Sequence, residues 1–461
     1  MPARDLAARL FGGVPRALER ASAAAQPDSE GPPGKMPFWG DGGVDGRHVL
    51  AAWPDRVIRL ARASDRASLE SALREPCRRP APSAPLVVVG LAYDAGRALE
   101  AIGPGPTDDL GLPEVVIARY PGSLSARSER GPWSAVGAAD ELLASLADDA
   151  APNAGPDPEP AVAPAASPDR AHGAGRDAQP RLWMRDPVER ERYRAGIAHV
   201  LERIAAGDLY QANIARRLEA PLPARDVPPL YDALRTAQPN RFGALWALDA
   251  ERWIASNSPE CLLRWHAATR TARSYPIKGT RPRGACEDAD RAQLDDLLAS
   301  EKDRAEHVMI VDLVRNDLGR VARTGSVRVE ALFDAMTLTT VHHLVSTVAC
   351  EVRPDKDLVD LLLALFPGGS ITGAPKIAAM QLIDRVEPFR RSFYCGTIGI
   401  VMGGAEASFS ILIRTLLAAA GRIVYATGGG IVADSDPELE WAETETKARA
   451  LVLALQQDTP R

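Results

Sequence analysis

The sequence has little that would mark it for an oxidising compartment, a membrane or a nucleic-acid surface. Its five cysteines (Cys77, Cys261, Cys286, Cys350 and Cys395) lie far apart and form no CxxC pair. An odd, scattered set suits a reducing cytoplasm better than a disulfide framework. Apolar runs such as Leu86–Tyr93 and Leu361–Phe366 fall well short of the roughly 18 residues a membrane span needs. The opening MPARDLAARLFGGVPRALERASAAA has no continuous apolar core, so a secretory signal is not expected. There is no basic excess either. Lys and Arg number 55 against 61 Asp and Glu, and a net charge of −6 argues against a nucleic-acid surface as the main business. No internal repeat is visible. A cytoplasmic location is expected.

What remains is a globular chain of 461 residues, 46% hydrophobic and 25% charged, with room for two or three domains or one large core. Residues 1–147 form a first region with weak signals. Leu86–Tyr93 and Val115–Tyr120 read as buried strands, being short, β-branched and turn-bounded, and no polar constellation there looks catalytic. Residues 148–180 shift to Ala, Pro, Gly and Asp and read as a flexible linker. Residues 181–458 carry the motifs. Asp186 is an expected N-cap with Pro187 in the first helical position, and Gly207 is the expected stop.

The loudest segment is Ser274–Gly284, SYPIKGTRPRG. Pro276 and Gly279 fix the backbone around Lys278, which should sit on a short, constrained tether. Asn257-Ser258-Pro259-Glu260 reads as a turn that presents a carboxylate just before another strand. A single helix is expected from about Asp288 to Leu318, with Asp303 and Glu306 on one face. His342 and His343 fall in a strand-like or short helical stretch. Phe366–Lys376 (FPGGSITGAPK) is a glycine-rich helix entry able to hold an anion, but it lacks the GK[ST] of a phosphate loop. Ser408–Thr415 alternates, which would put Phe409, Ile411 and Ile413 on one face and Ser410 and Arg414 on the other; an inward arginine calls for an anion. Gly428–Gly430 lets bare backbone approach a ligand. The last helix, starting at Asp436-Pro437, places Glu440 and Glu443 on one face with Lys447 a turn later. Four carboxylates from two helices can serve Mg²⁺, which takes one or two directly and fills its shell with water and substrate.

The ordered stretches SPECLL, PIKGTRPRG, EKDRAEHVMIVDLVRNDLGRVA, HHLVS, FPGGSITGAPK, FYCGTIG, IRT and GGGIVADSDPELEWAETETK resemble those of the chorismate-utilising enzymes. These comprise the large subunits of anthranilate and aminodeoxychorismate synthase together with isochorismate and salicylate synthases. The resemblance is strong over about residues 185–455 and loose in the first region, where GLAYDAGRALE is similar to a family block. It implies an α+β fold, two antiparallel sheets packed face to face with helices outside. It further implies Glu260 as general acid and Glu306 and Glu443 as magnesium ligands, with Asp303 and Glu440 in support. Arg414, Tyr394, Ser370, Gly428 and Gly430 would hold the carboxylates of chorismate. His343 would lie near the ring, and Thr280 and Lys447 are expected at the substrate as well. Arg281 and Arg283 are given no catalytic role.

Within the family, Lys278 resembles the aminodeoxychorismate-forming branch, since anthranilate and isochorismate formers carry alanine there. Gln211 stands where isochorismate and salicylate formers hold a water-activating lysine. The resemblance thus implies replacement of the 4-hydroxyl of chorismate by ammonia on the way to para-aminobenzoate and folate, with Lys278 as covalent nucleophile. That lysine must react neutral, a deficit of roughly 4–5 kcal/mol at neutral pH from its ordinary pKa, and burial with the nearby arginines was expected to reduce it. No Gly-x-Cys-x-Gly elbow is present, so a separate glutamine amidotransferase subunit is the implied ammonia source. The alternatives are anthranilate synthase component I and a non-catalytic anion-binding regulatory module.

Overall fold

The computed structural model describes residues 36, 38–40, 48–52, 54–77, 86–126, 134–137, 139, 187–338 and 341–456. The linker at 148–180 and the N-cap at Asp186 lie outside them. Among the described residues two ten-stranded sheets form, with every neighbouring pair antiparallel. Helices cover the outer surfaces, so the α+β expectation holds.

Strands from the first region complete both sheets. Phe38–Gly40 pairs with Phe242–Ala247, and Leu86–Leu91 pairs with Thr397–Met402. The sheets therefore run without a break across the boundary drawn at 148–180. Trp246, Tyr120, Phe38 and Phe393 are buried where the two regions meet, and Trp246 Nε1 donates to Tyr120 Oη at 3.0 Å. Burying two or three large aromatics in one cluster contributes several kcal/mol, which welds the regions into one body.

Two chain segments pass from one sheet to the other, and both matter for the site. Trp253–Ser258 lies in the first sheet and Cys261–His266 in the second. Glu260 sits in the corner between them. Likewise Glu406–Ile411 belongs to the second sheet and Thr415–Ala419 to the first. Here the expected continuous strand Ser408–Thr415 is corrected: pairing with Cys261–His266 ends at Ser410, the strand ends at Ile411, and Arg414 occupies the crossover with φ of +51°. Local alternation could not show this, because the break is set by partners far away in sequence.

The expected long helix is also corrected. It is two helices, Glu287–Ala299 and Glu301–Gly319, separated by Ser300 in an extended conformation. Ser300 Oγ accepts from the Asp303 backbone N–H at 3.2 Å, so a serine N-cap restarts the helix that carries Asp303 and Glu306. The glycine run continues the strand Arg422–Ile431 rather than following it. Asp436 caps the final helix, Pro437–Gln456, by accepting from the Glu438 and Leu439 N–H groups.

Candidate active site

Lys278 stands on the strand Ile277–Pro282, paired with Val341–Glu351 rather than held in a free turn. The register shifts between Lys278 and Thr280, so Thr280 pairs with His343 instead of His342. Gly279 makes the bulge possible at φ of +80°, where any β-carbon would also press on Leu297 and Asp303. The Lys278 amine is 3.9 Å from Glu306 Oε2, with the two side chains 15% and 17% exposed. A β-carbon on Gly430 would lie 2.8 Å from Lys278 Nζ and 2.6 Å from Gln211 Nε2. Lysine, glutamine and the bare strand therefore crowd one spot. Both polar atoms of Gln211 are buried without a partner, as is His343 Nε2. Buried polar groups in folded proteins are nearly always satisfied, so this concentration of orphans marks a cavity wall shaped for a polar ligand.

Glu260 is buried at the corner between the sheets. Burial pushes its carboxyl up to about 7, against smaller opposing pulls from the Ser370 hydroxyl and then Lys278. An acid poised near neutrality suits proton donation. His343 Nδ1 is 2.8 Å from Thr280 Oγ1. Burial, then the charge of Arg414, pushes its pKa down to about 4, so it is neutral at working pH. Burial lowers the pKa of Arg414 as well, and among the described residues its guanidinium makes no ion pair. Its uncompensated charge faces the site and calls for a carboxylate.

Arg281 and Arg283 do not act on Lys278 as expected. Arg281 pairs with Asp296 and, at 3.0 Å, with Asp303, while Arg283 pairs with Asp290 at 2.7 Å. Their charge is taken up by carboxylates, and Glu306 is the charged group beside the amine.

The four expected metal-site carboxylates converge unevenly. Burial pushes the pKa of Glu306 up, with Asp303 and Glu443 adding to it, while Lys278 and Lys302 oppose it. Glu440 Oε1 accepts from Ser435 Oγ at 2.7 Å, and its Oε2 is buried without a partner. Glu443 accepts from Lys447 at 2.7 Å, and Lys447 also donates to the Gly428 carbonyl at 2.7 Å. Lys447 thus braces Glu443 against the glycine strand. Among the described residues no three Asp, Glu, His or Cys side chains close into a cage. The orphaned Glu440 Oε2 is what fits a cation here, and magnesium takes only one or two carboxylates directly from protein. Tyr394 is buried against Arg391, with ring centroid and guanidinium 5.7 Å apart. Arg391 donates to the carbonyls of Ile371 and Asn213, and Asn213 Nδ2 to the Ser370 carbonyl at 3.0 Å, which locks the glycine-rich loop in place.

Three residues went unnoticed in the sequence. Lys302, one helical turn before Glu306, contributes to the fields at Glu306, Glu440 and Glu443, and its spacing could have found it. Thr427, with an orphaned buried hydroxyl, and His307, wholly buried, with a pKa pushed down to about 4 chiefly by burial, gave no comparable signal.

The two large antiparallel sheets that frame this site agree with what comparison shows of the fold. The chain matches the chorismate binding enzyme family over residues 37–453 and belongs to it; it is a chorismate-utilising enzyme. It is 37% identical over 407 residues to anthranilate synthase component 1 1 of Haloarcula marismortui, spanning 84% of this chain and 78% of that protein. It is 38% identical over 364 residues to aminodeoxychorismate synthase component 1 of Klebsiella aerogenes, spanning 79% and 76%. Some other curated relatives are matched over little more than half their length. The crystal structure of anthranilate synthase component I from Streptococcus pneumoniae shares the fold, with a TM-score of 0.69 at 24% identity over 92% of this chain and 94% of that one. No described helix is long and apolar enough to cross a membrane.

Proposed function

We propose that this chain aminates chorismate, as aminodeoxychorismate synthase component 1 is named to do, using ammonia from a glutamine amidotransferase partner. The observation that carries the reading is Lys278, whose amine shares one spot with Gln211 and Gly430 beside Glu306. A lysine there offers a nucleophile that alanine would not.

In this reading Glu260, about half of it protonated at neutral pH, donates its proton to the 4-hydroxyl, which leaves as water. The Lys278 amine bonds to C2 as the two conjugated ring double bonds shift, from C1=C2 and C5=C6 to C1=C6 and C4=C5, and the C4–O bond breaks. Ammonia then bonds to C4, both double bonds shift back to C5=C6 and C1=C2, and the C2–N bond to Lys278 breaks; the proton released by the incoming ammonia returns to the lysine or the acid. Two displacements at the face held by the protein give net retention. Arg414 and the Ser370 loop hold carboxylates of the substrate, and neutral His343, oriented by Thr280, lies at the ring. Glu306 and Glu443, supported by Asp303 and Glu440, would hold Mg²⁺, which supplies positive charge for the ring carboxylate. Gln211, lacking a basic amine, leaves water unactivated in competition with ammonia.

The test is purified protein with chorismate, Mg²⁺ and ammonium salt, with products separated by chromatography and mass. A product that keeps the enolpyruvyl group and gains an amine is expected. Anthranilate with released pyruvate would instead support the second reading, anthranilate synthase component I, which the similarity to the Haloarcula protein favours. Unconsumed chorismate would leave only a binding module.

A further inference from the structure

The helix Glu301–Gly319 carries three residues on one stripe. Glu306, Leu313 and Asp317 are seven and four residues apart, so they fall within about 20° of a common line along the helix. Each meets something different. Glu306 Oε2 stands 3.9 Å from the Lys278 amine. Leu313 lies against the glycine-rich loop, where a β-carbon on Gly369, the residue before Ser370, would sit 2.5 Å from its Cδ2. Asp317 Oδ2 accepts from Lys376 Nζ at 2.6 Å, and Lys376 opens the helix Lys376–Val386 at the end of that loop. Glu306 and Asp317 are about 16 Å apart along the axis. One rigid element thus touches the reacting amine at one end and the loop that bears Ser370 at the other.

The loop is held differently on its two flanks. Toward the strand Gln211–Pro221 the bonds are directional: Asn213 Nδ2 donates to the Ser370 carbonyl at 3.0 Å, and the Asn213 N–H to the Thr372 carbonyl at 2.8 Å. Toward the helix Glu301–Gly319, Leu313 offers an apolar contact that resists approach but not sliding. Among the described residues the polar contact between that helix and the loop is the Lys376–Asp317 pair, whose side chains are 9% and 6% exposed. Taking two charges out of water offsets most of their mutual attraction, so apolar side chains of similar volume would hold the two elements together about as well. What apolar side chains lack is direction. A short charge-assisted hydrogen bond fixes where the loop stands along the helix.

We propose that Asp317 and Lys376 are positioning residues: their pair sets the stand of the glycine-rich loop along the helix, and so the separation of Ser370 from Glu306. This rests on the reading that Ser370 holds a substrate carboxylate while Glu306 serves the cation and faces Lys278. Two double variants separate direction from packing. Asp317→Leu with Lys376→Met keeps the volume and drops the bond. Asp317→Gln with Lys376→Gln moves one atom of length from the lysine to its partner and keeps a neutral hydrogen bond at the same total reach. Both should unfold within about 3 °C of the parent. In the chorismate, Mg²⁺ and ammonium assay, the leucine–methionine pair should lose about 10²-fold in kcat/KM, the scale of an ångström's misplacement, while the glutamine pair stays within about threefold. In a Ser370→Ala background the leucine–methionine pair should cost less than about threefold more, because the group it misplaces is already gone. Parent kinetics for the leucine–methionine pair, equal loss in both pairs, failure of either pair to fold, or an undiminished loss in the Ser370→Ala background would each overturn the inference. Full activity of Ser370→Ala alone would instead overturn the reading beneath it, so the two failures are distinguishable.

Discussion

The amine of Lys278 lies 3.9 Å from Oε2 of Glu306, and both side chains are mostly shielded from solvent. The amine and the carboxylate thus share one poorly solvated spot. A cation taken up by Glu306 would compete for that carboxylate. Lys278→Ala should therefore abolish amination by more than about 10³-fold. Glu306→Gln should weaken the response to Mg²⁺ and leave the fold intact, checked by activity against Mg²⁺ concentration. Undiminished amination by Lys278→Ala would remove covalent catalysis from the account.

Glu260 makes a paired prediction for activity and stability. Its folded pKa, raised to about 7 by burial, keeps it protonated below neutrality, so the rate should fall as pH rises through that value. The unfolded chain releases this proton near pH 4.5, so between about 4.5 and 7 the folded state binds more protons and stability declines with rising pH, by on the order of 3 kcal/mol. Glu260→Gln carries no charge to desolvate. It should lose about 10²–10⁴-fold in kcat yet be more stable than the parent at pH 8 and not at pH 4. Denaturant unfolding at the two pH values decides it.

Arg414 is held at the crossover between sheets without an ion pair among the described residues. Removing it should cost the empty protein little, because it relieves a desolvated charge. Removing it should cost binding more: a charge-assisted hydrogen bond of about 1.5–3 kcal/mol corresponds to roughly 10–150-fold in KM for chorismate. Chorismate should also raise the thermal midpoint of the parent and much less that of Arg414→Gln. An unchanged KM would mean that the arginine meets no substrate carboxylate.

The residues of this site were legible in the sequence to different depths. Local pattern singled out Glu260 and Lys278 beside proline and glycine and Glu306 and Glu443 by helical spacing, while Ser370 came through the family resemblance. What it could not give was the corner. Glu260 and Arg414 each sit where the chain leaves one sheet for the other, and nothing within four residues of either specifies that passage. The alternation of Ser408–Thr415 even argued for an unbroken strand. The break after Ala299 was missed for a related reason, since Ser300 caps the following helix within a run that otherwise favours helix throughout. The weak signals of residues 1–147 belong to strands that also pair with partners some 200–320 residues away, beyond the reach of local pattern.

The three glycines Gly428, Gly429 and Gly430 offer the sharpest test, because alternation along the strand sends each missing side chain into a different neighbour. A β-carbon at Gly428 would sit 2.2 Å from the Ile214 carbonyl oxygen, part of a paired backbone that cannot step aside. Gly428→Ala should destabilise by at least the 1–3 kcal/mol usual for overpacking, as ~1–3 kcal/mol in denaturant unfolding. At Gly429 it would meet Glu440 Oε2 at 2.5 Å with Glu443 Oε2 at 3.9 Å; these are movable side-chain ends, so the fold should survive while the Mg²⁺ needed for half-maximal activity rises about tenfold. At Gly430 it would displace Gln211 Nε2 and Lys278 Nζ, again flexible ends. Gly430→Ala should change stability by less than about 1 kcal/mol and lower kcat about 10²-fold through the misplaced amine, with the Mg²⁺ requirement unaltered. A uniform loss of stability across the three would show that the strand tolerates no side chain for packing reasons alone; three separate phenotypes would place the carboxylates, the amine and the neighbouring backbone around one bare strand.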